Sequence, residues 1–333
     1  MSEASEQAAE EPARAISDFP FLDAYLAPLS DRLIEPDVTD IYINQPGEIW
    51  IERLGGGIAR EEVPALTEAS LWRLARQIAS LSHQGINREH PLLAARLPDG
   101  SRVQIVAPPA TRGPLAMAIR RHVSASLTLE DYAAAGAFDP PDDRSTGAAA
   151  LPAHDRVALL AQAVRERKTI LISGGTSTGK TTFLNALLRE IPRDERLILI
   201  EDTPELQLVH ENAVGLVAVK GELGEARVNA DDLLQASLRM RPDRIILGEL
   251  RGVEAYSFLR AINTGHPGSM TTIHADSPAK AIEQLALIIL QSGTRLARED
   301  IAHYARSTID LFVQLERRDG RRIVRTVAMP ADL

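Results

Sequence analysis

Hydrophobic positions change period several times along the chain, and each change marks an element. Asp40-Ile41-Tyr42-Ile43-Asn44 and Glu48-Ile49-Trp50-Ile51-Glu52-Arg53 alternate apolar with polar residues, and Gln45-Pro46-Gly47 between them carries turn chemistry, which predicts a β-hairpin. After Gly55-Gly56-Gly57 the period lengthens: Leu71, Leu74, Ala75, Ile78 and Leu81 recur at helical spacing behind a possible cap, Thr67. Two more strands are expected around 102–106 and 115–121, followed by a short helix opening with the capping-box pattern Thr128-Leu129-Glu130-Asp131. The first half therefore reads as an α+β domain over residues 18–137.

Beyond it, residues 138–152 (FDPPDDRSTGAAALP) concentrate Pro, Asp, Gly and Ala and resist regular structure, which marks a linker and a candidate hinge. From residue 153 the strands become short continuous apolar runs, at 169–173, 197–200 and 244–247, alternating with helical segments. Strands buried on both faces have this character, so residues 153–333 are expected to form an α/β domain around a mostly parallel sheet. Residues 310–315 and 323–327, joined by Asp319-Gly320, predict a closing hairpin.

The length of 333 residues suits two domains, and the balance of 44% hydrophobic and 25% charged residues is that of ordinary globular protein. The absence of cysteine excludes disulfide scaffolds, thiolate metal sites and a thiol nucleophile. The net charge of −9 belongs entirely to residues 1–50, which hold two Arg and eleven acids. Residues 1–17 are expected to be a mobile acidic tail without the features of a secretory signal. No apolar run approaches the roughly 20 residues needed to cross a bilayer. No segment shows the basic excess of a protein whose main task is gripping nucleic acid.

Only four lysines occur, Lys168, Lys180, Lys220 and Lys280, and one stands where chemistry calls for a compact cation. Gly174-Gly175-Thr176-Ser177-Thr178-Gly179-Lys180-Thr181 fits G-x-x-x-x-G-K-[ST], with an apolar strand before it and a helical pattern after it. In such a loop backbone N–H groups wrap phosphates, Lys180 reaches the β- and γ-oxygens, and the Thr181 hydroxyl ligates Mg²⁺, with Thr182 following in the helix. Two later apolar strands end in acids, one at Glu201-Asp202-Thr203-Pro204-Glu205 and the other at Glu249. In a parallel sheet these ends open at the edge where ligands bind. The segment 264–276 sets His266 and His274 around another strand, at a spacing that matches no zinc site.

The ordered set GGTSTGKTTFLNALL, LILIEDTPEL, LRMRPDRIILGELRG and INTGHPGSMTTIHADSP resembles the traffic ATPases of bacterial secretion and pilus machines, above all the VirB-type ATPases of type IV secretion and conjugation. The N-terminal segments DIYINQPGEIWIER, GSRVQIVAPPA and AIRR share the likeness. The resemblance implies a RecA-like C-terminal P-loop domain that binds ATP and Mg²⁺. It makes Glu205 the activator of water, Glu201 a supporting acid, and Glu249 the Walker B acid, acting on the metal through water because Gly248 precedes it in place of an Asp. It places His266 and His274 in a box that senses the γ-phosphate or a neighbouring subunit, with their separate roles open. Arg102 and Arg120, or Arg121 beside it, match the N-terminal arginines that close over nucleotide.

The expected function is ATP hydrolysis that powers substrate transfer or pilus assembly. The expected setting is a homohexameric ring, cytoplasmic and peripheral at the inner membrane, with other secretion components and the transported substrate as partners. A tight-adherence or type IV pilus motor, a DNA-dependent motor and a nucleotide-gated scaffold are the alternatives.

Overall fold

The structure is a computed structural model of the chain and describes residues 19–53, 57–121, 127–139, 153–219, 228–318 and 321–333. The expected acidic tail at 1–17, and all of the expected hinge except Phe138 and Asp139, lie outside the described residues. Two compact units divide between His122 and Val123.

The first unit opens with helices α1 (Pro20–Leu26) and α2 (Ser30–Ile34) and is built on a six-stranded antiparallel sheet. Its strands are β1 (Val38–Ile43), β2 (Glu48–Arg53), β3 (Ile58–Glu62), β4 (Leu92–Arg96), β5 (Arg102–Val106) and β6 (Ala116–Arg120), in the order β3-β2-β1-β6-β5-β4. The expected hairpin forms, with Ile41 opposite Ile51 and Tyr42 opposite Trp50. Helix α3 (Glu68–Leu81) is capped by the Thr67 hydroxyl, which accepts from the Ser70 amide. It buries Leu71, Leu74, Ala75 and Ile78 in one core with Ile41, Ile43, Ile49 and Ile51. The strands without a clear signal in the sequence, β3 and β4, are the two edges. Edge strands carry charge that discourages further pairing, so Ile58–Glu62 loses the alternation that marks a half-buried strand.

The second unit holds a seven-stranded sheet in the order β13-β12-β7-β11-β10-β8-β9. These strands are β7 (Ile170–Gly174), β8 (Leu197–Glu201), β9 (Ala213–Val217), β10 (Arg244–Leu247), β11 (Met270–Ile273), β12 (Leu311–Arg318) and β13 (Arg321–Ala328). All neighbours pair in parallel except the closing hairpin β12–β13. Every position of β7, β8, β10 and β11 is buried, which explains their unbroken apolar character. The helices are α4 (Leu129–Ala134), α5 (Ala153–Arg165), α6 (Lys180–Leu188), α7 (Ala230–Ser237), α8 (Glu254–Asn263), α9 (Pro278–Gln291) and α10 (Arg298–Thr308). Two separate cores result, one with α5 and α6 and the other with α8, α9 and α10.

Helix α4 has the expected capping box between Thr128 and Asp131. Its sequence position suggested the end of the N-terminal domain, yet it belongs to the second unit. The reason is packing: Leu129 and Tyr132 fill the core around α6, and the Tyr132 ring meets Phe183 edge-on at 5.2 Å.

At the N-terminal end of the parallel strands, Arg244 is fully buried and ion-paired to Glu195 through Nε and Nη2 at 2.7 and 2.8 Å. Its Nη1 donates to the Val164 carbonyl at 2.6 Å. A buried charge of this kind is tolerable only when paired and hydrogen-bonded. This pair fastens β10 to the loop before β8.

Candidate active site

The C-terminal ends of β7, β8, β10 and β11 all open at one edge, because the strands run in parallel register. From the end of β7 the chain turns through Gly175 to Gly179 into α6. A methyl group at Gly174 would lie 2.5 Å from Thr178 Oγ1 and 3.1 Å from the Leu315 carbonyl, so only glycine fits. Gly179 has φ +87, the left-handed conformation that lets the loop enter the helix. Thr178 braces the turn by donating to the Gly175 carbonyl at 2.9 Å. Thr176 and Ser177 are exposed, while Thr181 and Thr182 are half-buried at the start of α6.

Lys180 is 8% exposed. Its ammonium donates to the carbonyls of Gly174 and Gly175 at 3.1 and 3.2 Å and lies 3.2 Å from His274 Nδ1. An ammonium has only donors, so Nδ1 accepts and the proton of the neutral imidazole sits on Nε2. That nitrogen lies 2.8 Å from Glu249 Oε1, without the alignment of a hydrogen bond. Glu249 Oε1 is therefore a buried acceptor with no aligned donor among the described residues. Arg251 holds the other carboxylate oxygen and approaches Asp202 Oδ2 at 3.8 Å.

The titration of this chain follows from its geometry. Burial pulls the Lys180 ammonium below its ordinary range, with Glu249 opposing and Arg251 adding to the shift. His274 is likewise lowered, first by burial and then by the Lys180 charge, against an opposing pull from Glu249.

At the end of β8, Glu201 is buried and its Oε1 accepts from the amides of Glu205 and Leu206 at 2.7 and 2.8 Å. Asn185 of α6 clamps the same loop, donating to the Glu205 carbonyl at 3.1 Å and accepting from the Gln207 amide at 2.9 Å. The two carboxylates thus differ in role: Glu201 shapes the turn from which Glu205 projects. Gln314 of β12 does similar work for His274. It accepts from Ser173 Oγ at 2.5 Å and donates to the Ala275 and Leu315 carbonyls at 3.2 and 2.9 Å.

Arg251, Asn185 and Gln314 escaped sequence reasoning. Only Arg251, two residues past a strand-end acid, carries a signal that could have found it. His266 does not join the cluster. It precedes β11, whereas His274 follows it, so about 13 Å of strand separates the two ends. His266 instead contacts the Pro242 carbonyl at 3.2 Å, beside a pocket also lined by Arg196, Arg239 and Arg241.

Arg102 and Arg120 lie in the first unit, directly opposite each other on β5 and β6. Arg120 Nε pairs with Asp40 Oδ1 at 2.8 Å. Arg121 donates to the carbonyls of Glu35 and Val38, which gives that neighbour a structural task.

The sequence profile of the family described as "Type II/IV secretion system protein" matches residues 25–299. A type IV secretion system protein VirB11 from Bartonella henselae is 39% identical over 318 residues, 89% of each chain. The crystal structure of the VirB11 ATPase from the Brucella suis type IV secretion system, in complex with sulphate, superposes with a TM-score of 0.50 at 37% identity, covering 94% of this chain and 96% of that one. The Legionella pneumophila ATPase DotB shares the fold, with a TM-score of 0.56 at 22% identity over 94% of this chain and 81% of its own.

Proposed function

The chain belongs to the family of type II/IV secretion system proteins, and on that premise we propose that it is a Mg²⁺-dependent ATPase that drives transfer through a type IV secretion machine. The observation that carries this reading is the unbroken contact chain Lys180–His274–Glu249–Arg251 at the sheet edge behind the phosphate loop.

The residues fit the substrate and its metal. Lys180 is buried among acceptors that a phosphate oxygen can replace, and Glu249 Oε1 is an acceptor waiting for a donor such as a metal-bound water. Thr181 and Glu249 would hold Mg²⁺, Glu249 through water. Bound there, Mg²⁺ would supply positive charge against the negative charge that develops on the phosphates during transfer. Glu205 orients the attacking water, whose oxygen bonds to the γ-phosphorus as the bond to the bridging oxygen breaks and ADP leaves. The water's proton passes to Glu205. His274, neutral and held between Lys180 and Glu249, reports the presence of the γ-phosphate to both.

No helix among the described residues is long and apolar enough to cross a membrane, which fits a peripheral position at the cytoplasmic face of the inner membrane, in contact with other secretion components. A homohexamer is the expected assembly. Mass measurement of the full chain with and without ATP and Mg²⁺ should give about six times the protomer mass in their presence, and a strict monomer in every condition would contradict the ring. Phosphate release by the same sample, with Lys180→Ala as the blank, tests hydrolysis. Turnover that requires DNA and falls steeply with salt would instead mark a DNA-dependent motor.

A further inference from the structure

The hairpin that closes the second sheet carries Arg317 and Arg318 on β12 and Arg321 and Arg322 on β13. Cross-strand pairing sets Arg317 opposite Arg322, two residues beyond the Leu315–Val324 pair. Leu315 and Val324 are buried in the core that contains Phe183 and Leu184 of α6. Side chains two apart on a strand share a face, so Arg317 and Arg322 stand on the face that carries the phosphate loop. The approach is close for Arg322: a methyl group at Gly179 would lie 3.0 Å from its Cδ and 3.3 Å from its Nε.

Like charges directly opposite on one face repel. Among the described residues no carboxylate lies within ion-pair distance of either guanidinium, whereas Arg325 on the same strand is paired with Glu316 at 3.0 Å. The strand is well anchored, since the Val324 amide donates to the Ala137 carbonyl at 2.7 Å and Arg321 Nη2 to the Ala135 carbonyl at 2.8 Å. An independent feature lies close by. The Tyr132 hydroxyl, on a residue only 5% exposed, has no hydrogen-bond partner among the described residues, and the charge of Arg322 reaches it.

The sheet order gives this cluster a direction. His274, Glu249 and Glu201 lie on the β11, β10 and β8 side of β7, while β12 and β13 lie on the other. A γ-phosphate must face the reacting groups, so the remainder of a nucleotide on the loop extends toward the hairpin. We propose that Arg322, with Arg317 opposite, grips the non-reacting end of the nucleotide at its α- and β-phosphates and sugar, a contact that ADP and ATP share equally. A guanidinium fork suits paired phosphate oxygens. The assignment rests on the nucleotide reading of the phosphate loop and adds a contact that is indifferent to the γ-phosphate.

The test is equilibrium binding of ADP and of ATP to the full chain, together with steady-state hydrolysis, for Arg322→Ala, Arg322→Lys and the control Arg325→Ala. Arg322→Ala should weaken both nucleotides by the same factor, about tenfold to a hundredfold, and raise KM while kcat stays within about twofold. Arg322→Lys, which keeps charge and stem, should fall between, and Arg325→Ala should match wild type. ADP binding unchanged in Arg322→Ala would overturn the assignment. So would a loss confined to ATP, or a loss confined to DNA or lipid-vesicle binding with nucleotide affinity intact. A wild-type chain that binds neither nucleotide would sink the reading of the loop itself.

Discussion

His274 and Glu249 meet at the ends of two adjacent parallel strands, with Nε2 2.8 Å from Oε1, while the other imidazole nitrogen faces Lys180 at 3.2 Å. One neutral ring thus stands between the buried Lys180 ammonium and the Glu249 carboxylate.

This arrangement predicts a pH dependence. The unfolded chain takes up the His274 proton near the ordinary 6.5, while the folded protein resists until lower pH. Between those values the unfolded state binds more protons, so stability falls as pH drops through that window. Urea unfolding from pH 8 downward should show this loss, and His274→Gln should flatten it. Hydrolysis should likewise keep an acid limb below 6.5, because protonation sets a second cation against Lys180. An acid limb displaced above 6.5 would contradict the assigned neutral ring.

Glu201 should act through Glu205 and not on the substrate directly. Glu201→Ala removes the acceptor of two amide hydrogen bonds and should cost about 1–3 kcal/mol of stability. It should also lower kcat with little change in KM. Glu201→Gln keeps one carbonyl oxygen for the same amides and should recover most of both. A conservative variant as damaged as the alanine would show that the charge itself takes part in the reaction.

The Glu195–Arg244 pair supplies a purely structural prediction. Glu195→Ala leaves a fully buried guanidinium without its carboxylate and should destabilise the second unit by about 3–5 kcal/mol, read from the denaturant midpoint. Replacing both residues with apolar ones of similar size should be far milder. A single variant with an unshifted midpoint would mean that the pair contributes nothing.

Much of this was legible in the sequence because it rests on local pattern. The phosphate loop needs particular residues at fixed spacing, and the buried parallel strands announce themselves as continuous apolar runs ending in Glu201 and Glu249. What stayed hidden depends on residues far apart in the chain. Asn185 and Gln314 read as ordinary polar residues until the fold sets one against the Glu205 loop and the other between Ser173 and Ala275. The two histidines looked equivalent in sequence; strand direction separates them, sending His274 to the edge beside Lys180 and His266 to the far one. Helix α4 seemed part of the N-terminal domain because the Pro-rich stretch follows it, yet the apolar contact of Tyr132 with Phe183 decides its allegiance.

The most direct test measures phosphate release and ATP binding in parallel on the full chain, with Mg²⁺, for wild type, Lys180→Ala and Glu205→Gln. The expected result is turnover by wild type, loss of both binding and turnover in Lys180→Ala, and in Glu205→Gln retained binding with turnover reduced at least about a hundredfold, the scale of general base catalysis. Undiminished turnover in Lys180→Ala would contradict the assignment of the loop, and undiminished turnover in Glu205→Gln would remove Glu205 from the chemistry.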